Sequence, residues 1–259
     1  MWGAIAGDII GSPYEACPIK RTDFPLFGPA SRFTDDSVLT AATAEAILTG
    51  KDYGEAYRAW YRRHPGRGYG PGFARWAEAG RSGPYGSLGN GSAMRVAPVG
   101  WAFDSLERVL AEAERSARPT HDHPEGIRGA QAVASAVFLA RTGADKAAIR
   151  SFVASAFGYR MGRTVEQIRP GYRFDATCPG SVPEALIAFL DSTDWEDAVR
   201  KAVSLGGDSD TLACIAGAVA EAHYGGVPAW IRRQAASLLT PDLLAVVDRF
   251  GLVYRVPVR

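Results

Sequence analysis

Apolar residues recur at the 3.6-residue period along most of this chain, and convincing alternation at period two is scarce. The stretch 37–48 places Val38, Leu39, Ala42, Ala46 and Ile47 on one stripe, directly after the carboxylates Asp35 and Asp36. Segments 106–117, 127–141, 146–157, 182–190, 195–205, 211–223, 229–239 and 242–250 carry similar stripes. Alanine is abundant inside them, which favours helix and lets helices approach closely. The pattern predicts an all-α fold. Hydrophobic residues are 47% of the 259, enough for a full-sized core. No break in composition and no repeat divides the chain, so 1–259 reads as one domain. Two stretches, 22–33 and 65–90, carry dense glycine and proline and read as loops over a site or connectors. Residues 252–258 read as a short terminal strand or an extended tail.

Composition also narrows the function classes. The chain has 29 basic and 28 acidic residues, for a net charge of +1. Nucleic-acid binding needs a clear basic excess, which is missing. The longest apolar run, around 130–140, lies between Arg128 and Arg141 and is too short to span a membrane. The first residues lack a basic region and meet a carboxylate at Asp8, unlike a signal peptide. Cys17, Cys178 and Cys214 are odd in number and widely spaced, which suits neither a disulfide framework nor a zinc site. A reducing, cytoplasmic setting is expected.

Five short constellations carry possible chemistry. Thr34-Asp35-Asp36 stands at a loop-to-helix junction. One such residue suffices as a helix cap, whereas two adjacent carboxylates repel unless a positive charge lies between them. Gly206-Gly207-Asp208-Ser209-Asp210-Thr211 precedes a helix that reads as buried, where paired acids need a counter-charge. Asp and Thr oxygens are the ligands that hard divalent cations accept, so the two clusters together suit Mg²⁺ or Mn²⁺. Gly3, Gly7 and Gly11 lack dinucleotide-fold spacing and read as positions of close helix packing, with Glu15 following as an acid of either surface or site. Gly86-Ser87-Leu88-Gly89-Asn90-Gly91 is either a plain turn or a backbone cradle for an anion. Thr120-His121-Asp122-His123 offers either a helix cap or half of a zinc site.

Taken together and in this order, the motifs resemble the ADP-ribosylglycohydrolase family, which includes the ADP-ribosylarginine hydrolases and the dinitrogenase reductase-activating glycohydrolase. The resemblance runs from Gly3 to about Gly226. Its most specific pieces are Thr34-Asp35-Asp36-Ser37, Gly89-Asn90-Gly91-Ser92-Ala93-Met94-Arg95, Thr120-His121 and Gly206-Gly207-Asp208-Ser209-Asp210-Thr211. It implies a compact multi-helix domain with two Mg²⁺ or Mn²⁺ ions at the floor of a cleft. Thr34, Asp35, Asp36, Asp208, Asp210 and Thr211 fall where the family binds its metals. Glu15 falls where a family glutamate swings toward or away from the substrate. Gly86, Ser87, Leu88, Gly89 and Asn90 fall in the loop that holds the ADP-ribose diphosphate, and His121 falls beside the nucleotide. Leu88 departs from the family, where relatives often carry an aromatic residue. Base stacking would then move to Tyr85 or another aromatic of the 69–85 loop.

The implied reaction is hydrolysis of the glycosidic bond at ribose C1″ of a mono-ADP-ribosylated target, through an oxocarbenium-like state. Arginine is the target expected by analogy with bacterial relatives. Asp35 and Glu15 are the candidates for proton transfer. Two rival readings stay open: a hydrolase of another conjugate (serine-linked, nucleic-acid-linked or O-acetyl-ADP-ribose), and a silent ADP-ribose-binding protein, which would have lost the acids. The implied partners are an ADP-ribosylated protein or small conjugate, with ADP-ribose as product, and a monomer is expected. Asn90 is the only asparagine of the chain. Its amide is expected to contact the diphosphate, where aspartate would add an unwelcome negative charge.

Overall fold

The computed structural model describes residues 1–80 and 83–256, and every regular element among them is a helix. In chain order these are α1 (Trp2–Glu15), α2 (Asp35–Thr49), α3 (Tyr53–Arg63), α4 (Pro71–Glu78) and α5 (Gly91–Met94). Then come α6 (Ala97–Ala102), α7 (Leu106–Ala117), α8 (Pro124–Arg141), α9 (Lys146–Phe157) and α10 (Val165–Ile168). The last are α11 (Cys178–Leu190), α12 (Trp195–Val203), α13 (Ser209–Tyr224), α14 (Ala229–Ala236) and α15 (Pro241–Val253). The all-α expectation holds, and the buried apolar side chains form one cluster.

The centre is a seam between α1 and α13. Gly3, Gly7 and Gly11 recur every four residues and so share one face of α1. A Cβ built on them would overlap the carbonyl oxygens of Gly217, Ala213 and Ser209 respectively. Only glycine lets the two backbones lie this close. Neither helix shows a polar stripe along its length, because both are enclosed almost throughout. Trp195, on α12, closes the far end of the seam by donating from Nε1 to the Gly217 carbonyl at 3.0 Å.

Cap chemistry sets most of the helix starts. Thr34, Asp52, Ser105, Asp145, Thr177 and Asp194 each accept a backbone N–H from the first turn of their helices. Gly50, Gly158 and Gly225 end α2, α9 and α13 in the left-handed conformation that glycine adopts without penalty. His123 caps α8, accepting from Glu125 N at 3.1 Å, so the second histidine of the Thr120–His123 segment is structural.

Two expectations change. The 65–90 stretch contains α4, because Pro71 sits at the first helical position, where its missing N–H costs nothing. Phe73 and Trp76 on that helix are buried, so apolar burial outweighs the local glycine signal. Residues 252–253 close α15 rather than begin a strand, while 257–258 lie outside the described residues. No helix among the described residues is long and apolar enough to cross a membrane.

The seam gives a test. Gly7→Ala is expected to destabilise the protein by about 3 kcal/mol, since one methyl must pry two backbones apart. Urea denaturation followed by circular dichroism measures it. An alanine at exposed Gly28, where a Cβ meets nothing within 4 Å, serves as the neutral control.

Candidate active site

Four helix ends meet at one cleft. The C-terminus of α1 delivers Glu15, and the N-termini of α2, α5 and α13 deliver Asp35 and Asp36, Asn90, and Asp208 to Thr211. N-terminal helix dipoles favour negative charge there. The carboxylate oxygens of Glu15, Asp208 and Asp210 lie within 4.8 Å of one another. Thr211 Oγ1 lies 3.1 and 3.0 Å from the two oxygens of Asp36 and donates to that carboxylate. Asp210 Oδ1 accepts the Thr211 backbone N–H at 3.0 Å.

Asp8 organises the entry to α2. From the middle of α1 its carboxylate accepts Thr34 N at 3.0 Å, Thr34 Oγ1 at 2.7 Å, Ser37 N at 3.1 Å and the Ser37 hydroxyl. One buried acid therefore satisfies free amides of the first turn of α2 and aims Asp35 and Asp36 into the cleft. In the sequence Asp8 reads only as the carboxylate that sets the first residues apart from a signal peptide. Its seven-residue spacing from Glu15, which puts both on one helix face, was the available signal.

The acids are crowded and uncompensated. Asp8, Asp36, Asp208 and Asp210 are buried. Among the described residues, none of these four, nor Glu15 or Asp35, forms an ion pair with Lys, Arg or His. Burial first, then neighbouring carboxylates, pushes Asp35, Asp36 and Asp210 well above the usual carboxylate range. Asp8 and Asp208 are raised chiefly by burial, against the hydrogen bonds they accept. Glu15, exposed at the rim, is raised by partial desolvation and by Asp208. Such a set of hard oxygen donors fits divalent Mg²⁺ or Mn²⁺, and no nitrogen or sulfur ligand competes within it.

The remaining expected residues divide. Glu15, Asp35, Asp36, Ser87, Gly89, Asn90, His121, Asp208, Asp210 and Thr211 line the cleft, whose volume is about 370 Å³. Thr34, Gly86 and Leu88 stand outside its lining. The Thr34 hydroxyl is committed to Asp8 and to Asp36 N, as a cap. Leu88 points outward and is 38% exposed, while Tyr85 lines the cleft as expected for the substitute aromatic. Phe174, 57% exposed, faces the cleft from a loop that carried no sequence signal.

The glycine loop departs from a simple anion cradle. Gly86 N donates to Asp122 Oδ1 at 2.8 Å, Ser87 N to Thr120 O at 3.3 Å and Gly89 N to Ser87 Oγ at 3.1 Å. Asn90 N donates to Ala176 O at 2.8 Å, and Leu88 O accepts Cys178 N at 2.9 Å. Three loop amides and one loop carbonyl thus fix the loop between residues 120–122 and 176–178, and a fourth amide is held within the loop. The Asn90 side chain is spent as well: its Nδ2 donates to Asp208 Oδ2 at 2.7 Å. A neutral amide satisfies a buried carboxylate there without adding charge.

An α-helical fold that gathers buried, unpaired oxygen donors in a cleft defines a candidate divalent-cation site. The family model described as ADP-ribosylglycohydrolase matches residues 1–257. The human protein named ADP-ribosylhydrolase ARH3 is 27% identical, over 86% of this chain and 84% of its own. The Pseudomonas putida protein named ADP-ribosylarginine hydrolase Tri1 is 29% identical, over 91% of this chain and 73% of its own. A solved structure titled "ADP-ribosylglycohydrolase-related protein complex" superposes with a TM-score of 0.71 at 27% identity, covering 96% of this chain and 95% of that one. The chain belongs to the ADP-ribosylglycohydrolase family, and it is a glycosyl-bond hydrolase.

Two predictions follow from the electrostatics. A carboxylate whose folded-state pKa is raised binds its proton more tightly when folded; that stabilisation is complete below the ordinary value of 3.8 and is lost as pH rises through the folded-state value. The metal-free protein is therefore expected to gain thermal stability as pH falls from neutrality toward the ordinary carboxylate range. His121, whose pKa is lowered by burial, opposes this trend but is one group against the six raised carboxylates of the acidic cluster. Added Mn²⁺ is expected to flatten the slope in thermal scans, and a metal-free Tm that falls throughout that interval would contradict the reading. Separately, Asn90→Asp sets a carboxylate against Asp208. It is expected to cost about 2 kcal/mol at neutral pH in the metal-free protein and less at low pH, by the same scans.

Proposed function

We propose that this protein is a metal-dependent ADP-ribosyl hydrolase that cleaves the bond at ribose C1″ of mono-ADP-ribosylated arginine and releases ADP-ribose. The observation that carries the reading is the convergence of Glu15, Asp208 and Asp210 beside Asp36 and Thr211, with no cationic side chain paired to any of them among the described residues. The residues that would hold a pair of Mg²⁺ or Mn²⁺ ions are Asp35, Asp36, Asp208, Asp210 and Thr211, with Thr34 behind them. The ions, when bound, supply positive charge that orients ribose hydroxyls and eases deprotonation of water.

The chain's own groups then divide the work. Asp8 and Asn90 fix the acids, and the glycine loop with His121 walls the opposite side of the cleft. Glu15 and Asp35 line the cleft, and among the described residues neither carboxylate accepts a hydrogen bond from another residue. That freedom suits proton transfer, since a committed carboxylate must first break a bond. In the metal-free protein burial and neighbouring carboxylates hold both groups above the usual carboxylate range, which strengthens them as acceptors of a proton from the attacking water. Positioning of the distal ribose against these two groups supplies much of the rate.

The arginine linkage is supported by the named activity of the Pseudomonas putida relative. A panel of arginine-, serine-, O-acetyl- and nucleic-acid-linked ADP-ribose, assayed with Mg²⁺, Mn²⁺ or EDTA, tests it. Release from the arginine conjugate alone, abolished by EDTA, is expected. Preferential release from another conjugate would move the substrate class, and release from none would reduce the protein to an ADP-ribose binder. Asp210→Ala is expected to abolish release and the Mn²⁺-induced rise in Tm while leaving the far-ultraviolet spectrum intact.

A further inference from the structure

We infer that Arg95 and Thr120 are positioning residues that hold His121 in the Nε2–H tautomer, so that its imidazole presents an N–H donor to the phosphate oxygens of a diphosphate lying along the 86–91 loop. The inference rests on the hydrolase reading for the identity of the ligand, and on geometry alone for the tautomer.

Arg95 follows α5 and is fully buried. Its guanidinium lies over the Tyr57 ring, 4.0 Å from Cζ to the ring centroid, and it pairs with no carboxylate among the described residues. Nη2 donates to Ser116 O at 3.2 Å and to Thr120 Oγ1 at 2.8 Å, while Nε and Nη1 have no hydrogen-bond partner. Arginine only donates, so the Thr120 hydroxyl accepts from it and keeps one hydrogen to give. Two acceptors lie in reach: His121 Nδ1 at 2.7 Å and Ala117 O at 3.5 Å. The longer contact is at the limit of a hydrogen bond, so the hydrogen goes to Nδ1. The cation on the far side of the hydroxyl strengthens that donation. The opposite tautomer would load two donors onto one threonine oxygen and leave its hydrogen only the 3.5 Å contact.

With Nδ1 accepting, the imidazole proton sits on Nε2. That atom has no hydrogen-bond partner among the described residues, and His121 lines the cleft. It faces the glycine loop: a Cβ on Gly91 would stand 3.4 Å from Nε2 and one on Gly89 3.7 Å away. Two glycines thus leave the approach to Nε2 open. Burial first, then Arg95, pushes the imidazole well below its ordinary pKa, which keeps it a neutral donor at pH 7. Because most loop amides are spent within the protein, this N–H supplies recognition that the loop backbone does not.

The test is a long-range ¹H–¹⁵N correlation spectrum of the full chain, combined with ADP-ribose titration by calorimetry. The wild type is expected to show His121 as the Nε2–H tautomer. Thr120→Val, close in shape and without the hydroxyl, is expected to lose that pattern and to bind ADP-ribose about tenfold more weakly. Its loss in kcat/KM is expected in KM, with kcat little changed. Thr120→Ser is expected to restore both tautomer and affinity to within about twofold of wild type, which a merely structural role for the threonine methyl would not allow. An Nδ1–H tautomer in the wild type overturns the inference even if the valine variant fails to fold. Wild-type affinity in a folded valine variant overturns it too. A wild type with the Nε2–H tautomer that binds no ADP-ribose overturns the ligand named here along with the hydrolase reading, and leaves the relay standing.

Discussion

The backbone-to-backbone contact of α1 with α13 is the constraint on which the rest depends. Because Gly3, Gly7 and Gly11 remove every side chain from one face of α1, the start of α13 comes to rest beside the end of α1. Asp208 and Asp210 then cannot avoid Glu15. Asp8, inside the same helix, reaches sideways to the first turn of α2 and brings Asp35 and Asp36 to the same place. Three sequence-distant acid clusters are thus assembled by helix packing, with no flexible loop among the parts that must be placed accurately.

That assembly works against stability. Several carboxylates enter low-dielectric surroundings within a few ångströms of one another, and each raises its neighbours' affinity for a proton. Hydrogen bonds from Thr34, Ser37, Asn90 and Thr211 soften the cost without removing any charge. A fold selected for stability alone would have replaced at least one acid by its amide. Asn90 shows that an amide is available in this very cluster, and it is used as a donor to an acid rather than in place of one.

The fold class was legible because the helical period survives in nine segments and glycine spacing marks the α1–α13 contact. The acidic half of the site was legible because paired carboxylates at the start of buried helices have no bland explanation once both pairs are considered together. What stayed hidden depends on who receives each hydrogen bond. Asn90 and the 86–89 amides have the right residue types for an anion cradle, yet their partners are Asp208, Asp122, Thr120 and Ala176, brought in by packing over long separations. Helix α4 was hidden for a different reason. Glycine and proline crowd its surroundings, and only the burial of Phe73 and Trp76 decides the local structure.

Charge is also segregated within the cleft. The acids gather at one end without a cationic side chain among the described residues, and the fully buried Arg95 lines the same cleft without an acid. Pairing them would have been the simplest way to satisfy both, and a single rotation of register in α5 would change what Arg95 faces. Instead its guanidinium is held by Tyr57, Ser116 and Thr120. A buried cation and a buried acidic cluster left unpaired both contribute to the potential inside the cleft. Each charge is kept unneutralised at a cost in stability, which leaves the potential inside the cleft set by the groups that face it.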